Sequence, residues 1–180
     1  MRLSALLKRI EDFLLGAKST EVTMETRIAD LRQLGVRIGE GCQVLTTAFS
    51  TEPYLVELGN RVGVSNGTQF LTHDASVWLI RPDRPNAQVF GPIRVGDNTY
   101  IAENCLILPG TTIGAGCVIA AGSVVRGDIP DNSLVVGNPG RVVGRASLLK
   151  GCHAGMNRML DTLHLPPAER EAVIRRHFGL

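Results

Sequence analysis

From Val95 onward an aliphatic residue recurs at every sixth position: Val95, Ile101, Ile107, Ile113, Ile119 and Val125. A period of six belongs neither to an amphipathic helix nor to the plain alternation of a half-buried strand. Four residues after each of the first five aliphatics stands a small side chain, namely Thr99, Cys105, Thr111, Cys117 and Ser123. The residue directly after the aliphatic is often small too, as in Gly96, Ala102, Gly114 and Ala120. Self-similarity at a short fixed period marks a solenoid. Each hexad supplies a short strand and a tight corner, and three hexads close one triangular coil. Aliphatic side chains then stack inward, Ile101 under Ile119 and Ile107 under Val125. Small residues fill the cramped inward slots near the corners. Each coil bonds only to its neighbours, so the coils stabilise one another in series.

The rest of the composition suits a narrow, regular core. The chain has 180 residues, 44% hydrophobic but only 4% aromatic, so it can bury a core and is not disordered. A net charge of +2 argues against a dedicated nucleic-acid binder. No apolar run reaches the length of a membrane span. The N-terminus lacks the pattern of a secretory signal, and the cysteines show no CxxC spacing, so a cytoplasmic protein with reduced thiols is expected. Cys42, Cys105 and Cys117 fall in the small inward slots and read as core fillers, not nucleophiles or metal ligands.

The pattern begins earlier but less evenly. Ile38 and Val44 fit one stretch, and Leu58, Val64 and Phe70 another, with Thr68 in the small slot. It breaks at Ser50–Tyr54 and again after Phe70, where the inward slots would fall on Asp74 and Ser76. Ser76 to Pro92, with three prolines, predicts a loop leaving the coil. Violations of a strong local rule are where functional residues are expected. The flanks differ. Apolar spacing over residues 3–15 predicts a helix, as does Met24, Ile28, Leu31 and Leu34, stopped by Gly35. A third is expected from Leu148 through Cys152, Met156, Met159 and Leu160 to Leu163, and a short last one from Pro167 to His177. The division is therefore 1–35 N-terminal helices, 36–144 the coil with loop 76–92 extruded, and 145–180 C-terminal helices. In the first helix Glu11 and Asp12 offset Lys8 and Arg9, so packing between copies is expected there and not membrane contact.

Gly91-Pro92-Ile93-Arg94-Val95-Gly96-Asp97-Asn98, the repeats to Val125, then Asp128-Ile129-Pro130 and Gly137-Asn138-Pro139-Gly140-Arg141-Val142-Val143 resemble the hexapeptide-repeat acyltransferases. Leu34-Gly35-Val36-Arg37-Ile38-Gly39, Glu52-Pro53-Tyr54-Leu55 and Leu71-Thr72-His73-Asp74 are most similar to capsule and O-antigen sugar O-acetyltransferases. The likeness spans residues 30 to 144. It implies a mainly β fold, a left-handed parallel β-helix of hexapeptide repeats with α-helical N- and C-terminal flanks. It also implies a homotrimer with active sites between subunits, acetyl-CoA as co-substrate, and no metal.

His73 is the one histidine within the repeats, at the point where they break. The resemblance implies a general base there, and a neutral imidazole suits proton removal from an alcohol attacking a thioester. The plainer alternative is a solvated turn residue. Asp74, Asn66, Tyr54 and Trp78 are candidates for the acceptor site. Neighbouring residues on an extended chain point apart, so a contact between Asp74 and His73 is not implied. The group holding the far nitrogen of His73 is not legible, and Glu52 is one further candidate. Ala102 and Ala120 form one column of small residues, Glu103 and Ala121 the next, leaving a strip along which a pantetheine arm can run. Matching family positions contact acetyl-CoA, although Glu103 stands where serine is common. Arg126 and Arg141 match positions beside the CoA phosphates, which a guanidinium binds by paired hydrogen bonds. Gly127 replaces the usual basic neighbour of Arg126.

The expected activity is therefore acetyl-CoA-dependent O-acetylation of a saccharide by direct transfer, with N-acetylation of an amino sugar as the alternative. A metal-dependent carbonic anhydrase on the same fold needs three histidine ligands, but His153, His164 and His177 lie in the tail. A non-catalytic β-helix scaffold is the third class.

Overall fold

The computed structural model describes residues 23–149, 151–152 and 159–180. Its chain order runs α1 Met24–Gln33, β1 Arg37–Ile38, β2 Gln43–Val44, β3 Val56–Leu58, β4 Gly63–Val64, β5 Gln69–Phe70, β6 His73–Asp74 and β7 Val89–Phe90. There follow β8 Ile93–Val95, β9 Tyr100–Ile101, β10 Leu106–Ile107, β11 Thr112–Ile113, β12 Val118–Ile119, β13 Val124–Val125, β14 Asp128–Ile129, β15 Ser133–Val136, β16 Arg141–Arg145 and α2 Pro167–Phe178.

The strands form a parallel β-helix with three faces. The first face is β1-β3-β8-β11-β14, the second β2-β4-β9-β12-β15-β16, and the third β5-β10-β13. Ile101 pairs with Ile119, and Ile107 with both Phe70 and Val125, so every third hexad stacks. The interior is a set of aliphatic columns, with Val95, Ile101, Ile107, Ile113, Ile119 and Val125 all buried. Phe49 and Phe70 stack at 4.7 Å where the third face begins.

The small slots are polar for a reason. Thr99 Oγ1 donates to Gly114 O at 2.8 Å and accepts from Cys117 N at 3.1 Å, one coil on. Thr68 does the same with Ala102 O and Cys105 N. The sulfurs of Cys105 and Cys117 face Ala120 O and Pro130 O, and burial pushes both thiols up, away from the reactive thiolate. At the corner between the first and second faces Asn60, Asp97 and Asp131 accept from Glu40 N, Asn60 N and Ala115 N. Short polar side chains there close the turn that each hexad needs.

Coil length varies. Thr99 and Cys117 are 18 residues apart, but Thr68 and Cys105 are 37 apart because a loop leaves the coil between them. The last corner is shorter, with Ala115 and Asp131 only 16 apart. Antiparallel β16 closes the top against β15. At the bottom Thr23 caps α1 by accepting from Thr26 N, Leu31 is buried, and Arg32 donates to Ile38 O.

The helix expected over 3–15 lies outside the described residues, as does Met156. Residues 159–162 carry no helix, so the expected run to Leu163 ends earlier. Met159 and Leu163 are largely exposed. Among the described residues no helix is long and apolar enough to cross a membrane.

Candidate active site

The two stretches that break the hexad rule meet in space. Ser50 N donates to Phe70 O, which sets Ser50–Glu52 on the coil edge beneath Leu71–His73. Phe70 and Thr72 are fully buried and His73, next in the chain, projects outward. The chain departs from the coil there, earlier than Ser76. His73 and Asp74 pair antiparallel with Phe90 and Val89 at the neck of the loop. Gly91 N donates to Thr72 O as the chain returns. A Cβ on Gly91 would lie 2.3 Å from Gly110 N, so only glycine allows this return.

Glu52 is the group that sequence reasoning left unassigned beside His73. Its Oε2 lies 2.9 Å from His73 Nδ1 and accepts from Thr72 Oγ1 at 2.8 Å. Its Oε1 accepts from Thr51 Oγ1 at 2.6 Å. That hydroxyl, followed by the hydrogen bonds of His73 and Thr72, holds the Glu52 carboxyl below the usual carboxylate range. An ionised carboxylate only accepts, so in the neutral imidazole it sets the proton on Nδ1 and leaves Nε2 as the acceptor. Ser50 Oγ, 3.1 Å from the same Nδ1, completes the surround. The Glu52 side chain keeps 15% exposure and His73 40%, so the pair is shielded but reachable. An imidazole held this way has the geometry to take a proton at Nε2 and return it. The one available sequence signal was the coincidence of the two register breaks.

His73 opens on a cleft of about 140 Å³ whose walls include Glu52, Asp74, Arg81, Gln88 and Phe90. Asp74 Oδ1 accepts from Ser76 N at 2.8 Å and so caps the short 3-10 turn Ala75–Ile80. That hydrogen bond, with the charge of Arg126, keeps the Asp74 carboxyl below its usual range. Val77 is buried and pins the loop, whereas Trp78 is 72% exposed beside Arg81. Tyr54 and Trp78 are not among the cleft's lining residues. Tyr54 instead packs its Cβ where a Cβ on Gly35 would touch it.

The remaining sequence candidates sit on another edge. Asn104 N donates to Asn66 O and Gly122 N to Glu103 O, which stacks Asn66, Glu103 and Ala121 at the corner between the second and third faces. Ala102 and Ala120 stand beside them, since Ala102 N donates to Ile119 O and Ala120 N to Val135 O. The carbonyls of both alanines are engaged inside the coil, by Thr68 Oγ1 and Ser123 Oγ. Arg126 follows β13 on the His73 edge, and Arg141 is exposed at the start of β16. One chain thus keeps His73, Asp74 and Arg126 on one edge of the third face, and the alanine strip on the other. Among the described residues no group of three histidine, cysteine, aspartate or glutamate side chains could hold a metal ion.

Comparison with known proteins adds what geometry alone does not. The family described as "Bacterial transferase hexapeptide (six repeats)" matches residues 92–127. The chain is 43% identical over 116 residues to Protein CapG of Staphylococcus aureus, a match covering 63% of this chain and 67% of that one. A maltose O-acetyltransferase from Clostridium difficile 630 superposes with a TM-score of 0.53 at 29% identity, over 73% of this chain and 80% of that chain. A hexapeptide-repeat acetyltransferase of Vibrio cholerae, solved with acetyl-CoA, superposes with a TM-score of 0.51 at 26% identity, over 71% and 80%.

Proposed function

Because the chain belongs to the hexapeptide-repeat acetyltransferases, we propose that it moves acetyl from acetyl-CoA to a hydroxyl of a saccharide, with His73 as general base. The observation that carries this is the 2.9 Å contact of His73 Nδ1 with Glu52, which leaves Nε2 free at the cleft. Similarity to a maltose O-acetyltransferase supports the saccharide acceptor.

The acceptor oxygen attacks the thioester carbonyl carbon as its proton passes to His73 Nε2. The tetrahedral adduct collapses, the C–S bond breaks, and the proton returns to the CoA sulfur. No covalent acetyl-enzyme is needed, and Cys42, Cys105 and Cys117 are buried in the coil. In this reading the coil is left-handed, and copies assemble as a trimer. The His73 edge of one copy then faces the strip of Ala102, Glu103, Ala120 and Ala121 of the next. Arg126 and Arg141 take the CoA phosphates, Asp74 faces the acceptor in the cleft, and Asn66 approaches it from the strip of the next copy, whereas Tyr54 and Trp78 stand outside the cleft.

The test is thermal stability against acetyl-CoA concentration for wild type, His73→Ala and the pair Arg126→Ala/Arg141→Ala. A ligand at one hundred times its dissociation constant stabilises the folded state by about 2.7 kcal/mol. Wild type and His73→Ala are expected to gain this, and the arginine pair much less. No gain for wild type at millimolar acetyl-CoA would sink the reading.

A further inference from the structure

The cleft beside His73 carries one charge that the fold leaves unanswered. Both of its carboxylates are engaged. Glu52 accepts from Thr51, Thr72 and His73. Asp74 caps Ser76 N and faces the charge of Arg126. Arg81, on the wall formed by the loop, has no carboxylate partner among the described residues. Its guanidinium carbon lies 5.5 Å from the centre of the Trp78 ring. A guanidinium on an indole face is held in place by the ring quadrupole, while its fork of N–H donors stays free for an oxyanion. Gln88 brings a side-chain amide to the same cleft, and it has no hydrogen-bond partner among the described residues. Phe90, paired with His73 across the neck, supplies an apolar surface for a ring.

We propose that this cleft takes an anionic saccharide, its carboxylate or phosphate held by Arg81, its ring against Phe90 and Gln88, and one hydroxyl at His73 Nε2. The proposal rests on the saccharide acetyltransferase reading above and names the acceptor's charge. Arg81 acts as a specificity determinant: it binds the acceptor away from the reacting oxygen, so its loss weakens acceptor binding and leaves donor binding alone. Uronate and sugar phosphate share the chemistry that a guanidinium fork recognises.

The experiment is calorimetric titration of the full chain, with CoA present, using glucuronate, glucose 1-phosphate, glucose and inorganic phosphate. Wild type, Arg81→Gln and Arg81→Lys are compared. At least one ionised sugar is expected to bind wild type about tenfold or more tightly than glucose. Arg81→Gln is expected to abolish that preference, and Arg81→Lys to keep part of it. Whichever ionised sugar binds more tightly identifies carboxylate or phosphate as the natural group. Equal binding of glucose and both ionised sugars, including binding of none, overturns the proposal. So does an unchanged preference in Arg81→Gln, or inorganic phosphate binding as tightly as glucose 1-phosphate. Stabilisation by acetyl-CoA is read on the same samples. Its loss in wild type overturns the acetyltransferase reading, whereas its presence without a preference for charged sugars overturns only the anionic acceptor.

Discussion

Glu52→Gln probes the arrangement around His73 most directly. In the native site Oε1 receives the Thr51 hydroxyl, and Oε2 receives both Thr72 and His73 Nδ1. Three donors thus converge on two acceptor atoms. Glutamine converts one of them to NH2, a donor among donors. If the amide nitrogen takes the place of Oε2, it presents a proton to His73 and favours the tautomer with hydrogen on Nε2, which has no base left. If it takes the place of Oε1, only the Thr51 hydroxyl must turn and the tautomer survives. A general base supplies about 10²–10⁴ in rate, and His73→Ala is expected to lose all of that. Glu52→Gln keeps the imidazole but not its assigned tautomer, so a loss of about 10- to 100-fold in kcat is expected, with a smaller change in KM. The assay is release of the CoA thiol at saturating acetyl-CoA, beside nitrogen NMR of the ring. The chain has four histidines, so His73→Ala identifies the His73 signal. A wild-type kcat in Glu52→Gln, with His73→Ala inactive and the Nε2 signal still that of a bare nitrogen, would refute the orienting role.

Further outcomes follow from the same geometry. Thr51→Val removes the largest cause of the lowered Glu52 carboxyl, so its ionisation moves back up towards the ordinary range. The charged Glu52 supports the native site above that ionisation and is lost as pH falls through it. The acid limb of the rate profile in Thr51→Val should therefore lie at higher pH than in wild type, and coincident limbs would count against the hydroxyl. Ile107→Ala empties a fully buried rung between Phe70 and Val125 and should cost about 2–5 kcal/mol in denaturant unfolding at fixed protein concentration. Gly91→Ala drives a Cβ into the Gly110 backbone, so about 1–3 kcal/mol of stability should be lost. Because Gly91 ties the returning chain to Thr72, activity should fall as well, and an active, fully stable variant would contradict the packing. Arg61 holds a left-handed backbone at φ 55, where Asn98, Asn104 and Asn132 stand at equivalent corners. Arg61→Asn should gain up to about 1 kcal/mol, read as a raised melting temperature, and a lowered one would show that the arginine side chain outweighs the strain.

The coil was legible because a stacked solenoid repeats one local problem. Each hexad needs one inward aliphatic, one small polar or sulfur-bearing slot and one corner that tolerates a left-handed residue. Val95 to Ser123 states that demand five times in succession, and the register of Ile101 with Ile119 follows from counting. His73 was legible for the opposite reason, as an exception to the rule and as part of Leu71-Thr72-His73-Asp74. The return strand β16 was not. It pairs antiparallel with β15, outside the period that organises the rest. Of the helix expected from Leu148 to Leu163, Leu149, Gly151 and Cys152 are helical, whereas Met159 to Leu163 are not, so among the described residues the apolar spacing ran on past the helix.

By itself, then, the sequence determined the class of fold, the order of its coils and the two points at which the coil is violated, since these depend on residues near one another in the chain. Only the tertiary structure decided that the violations are neighbours. Glu52 and His73 are separated by a full turn of the coil and meet because Ser50 bonds to Phe70 one rung apart. The same holds for the split between the His73 edge and the alanine strip, and for Arg81, which the loop leaves without a carboxylate partner among the described residues. Stacking converts distance along the chain into adjacency through hydrogen bonds, and a coil whose length varies from 16 to 37 residues does not announce those partners in advance.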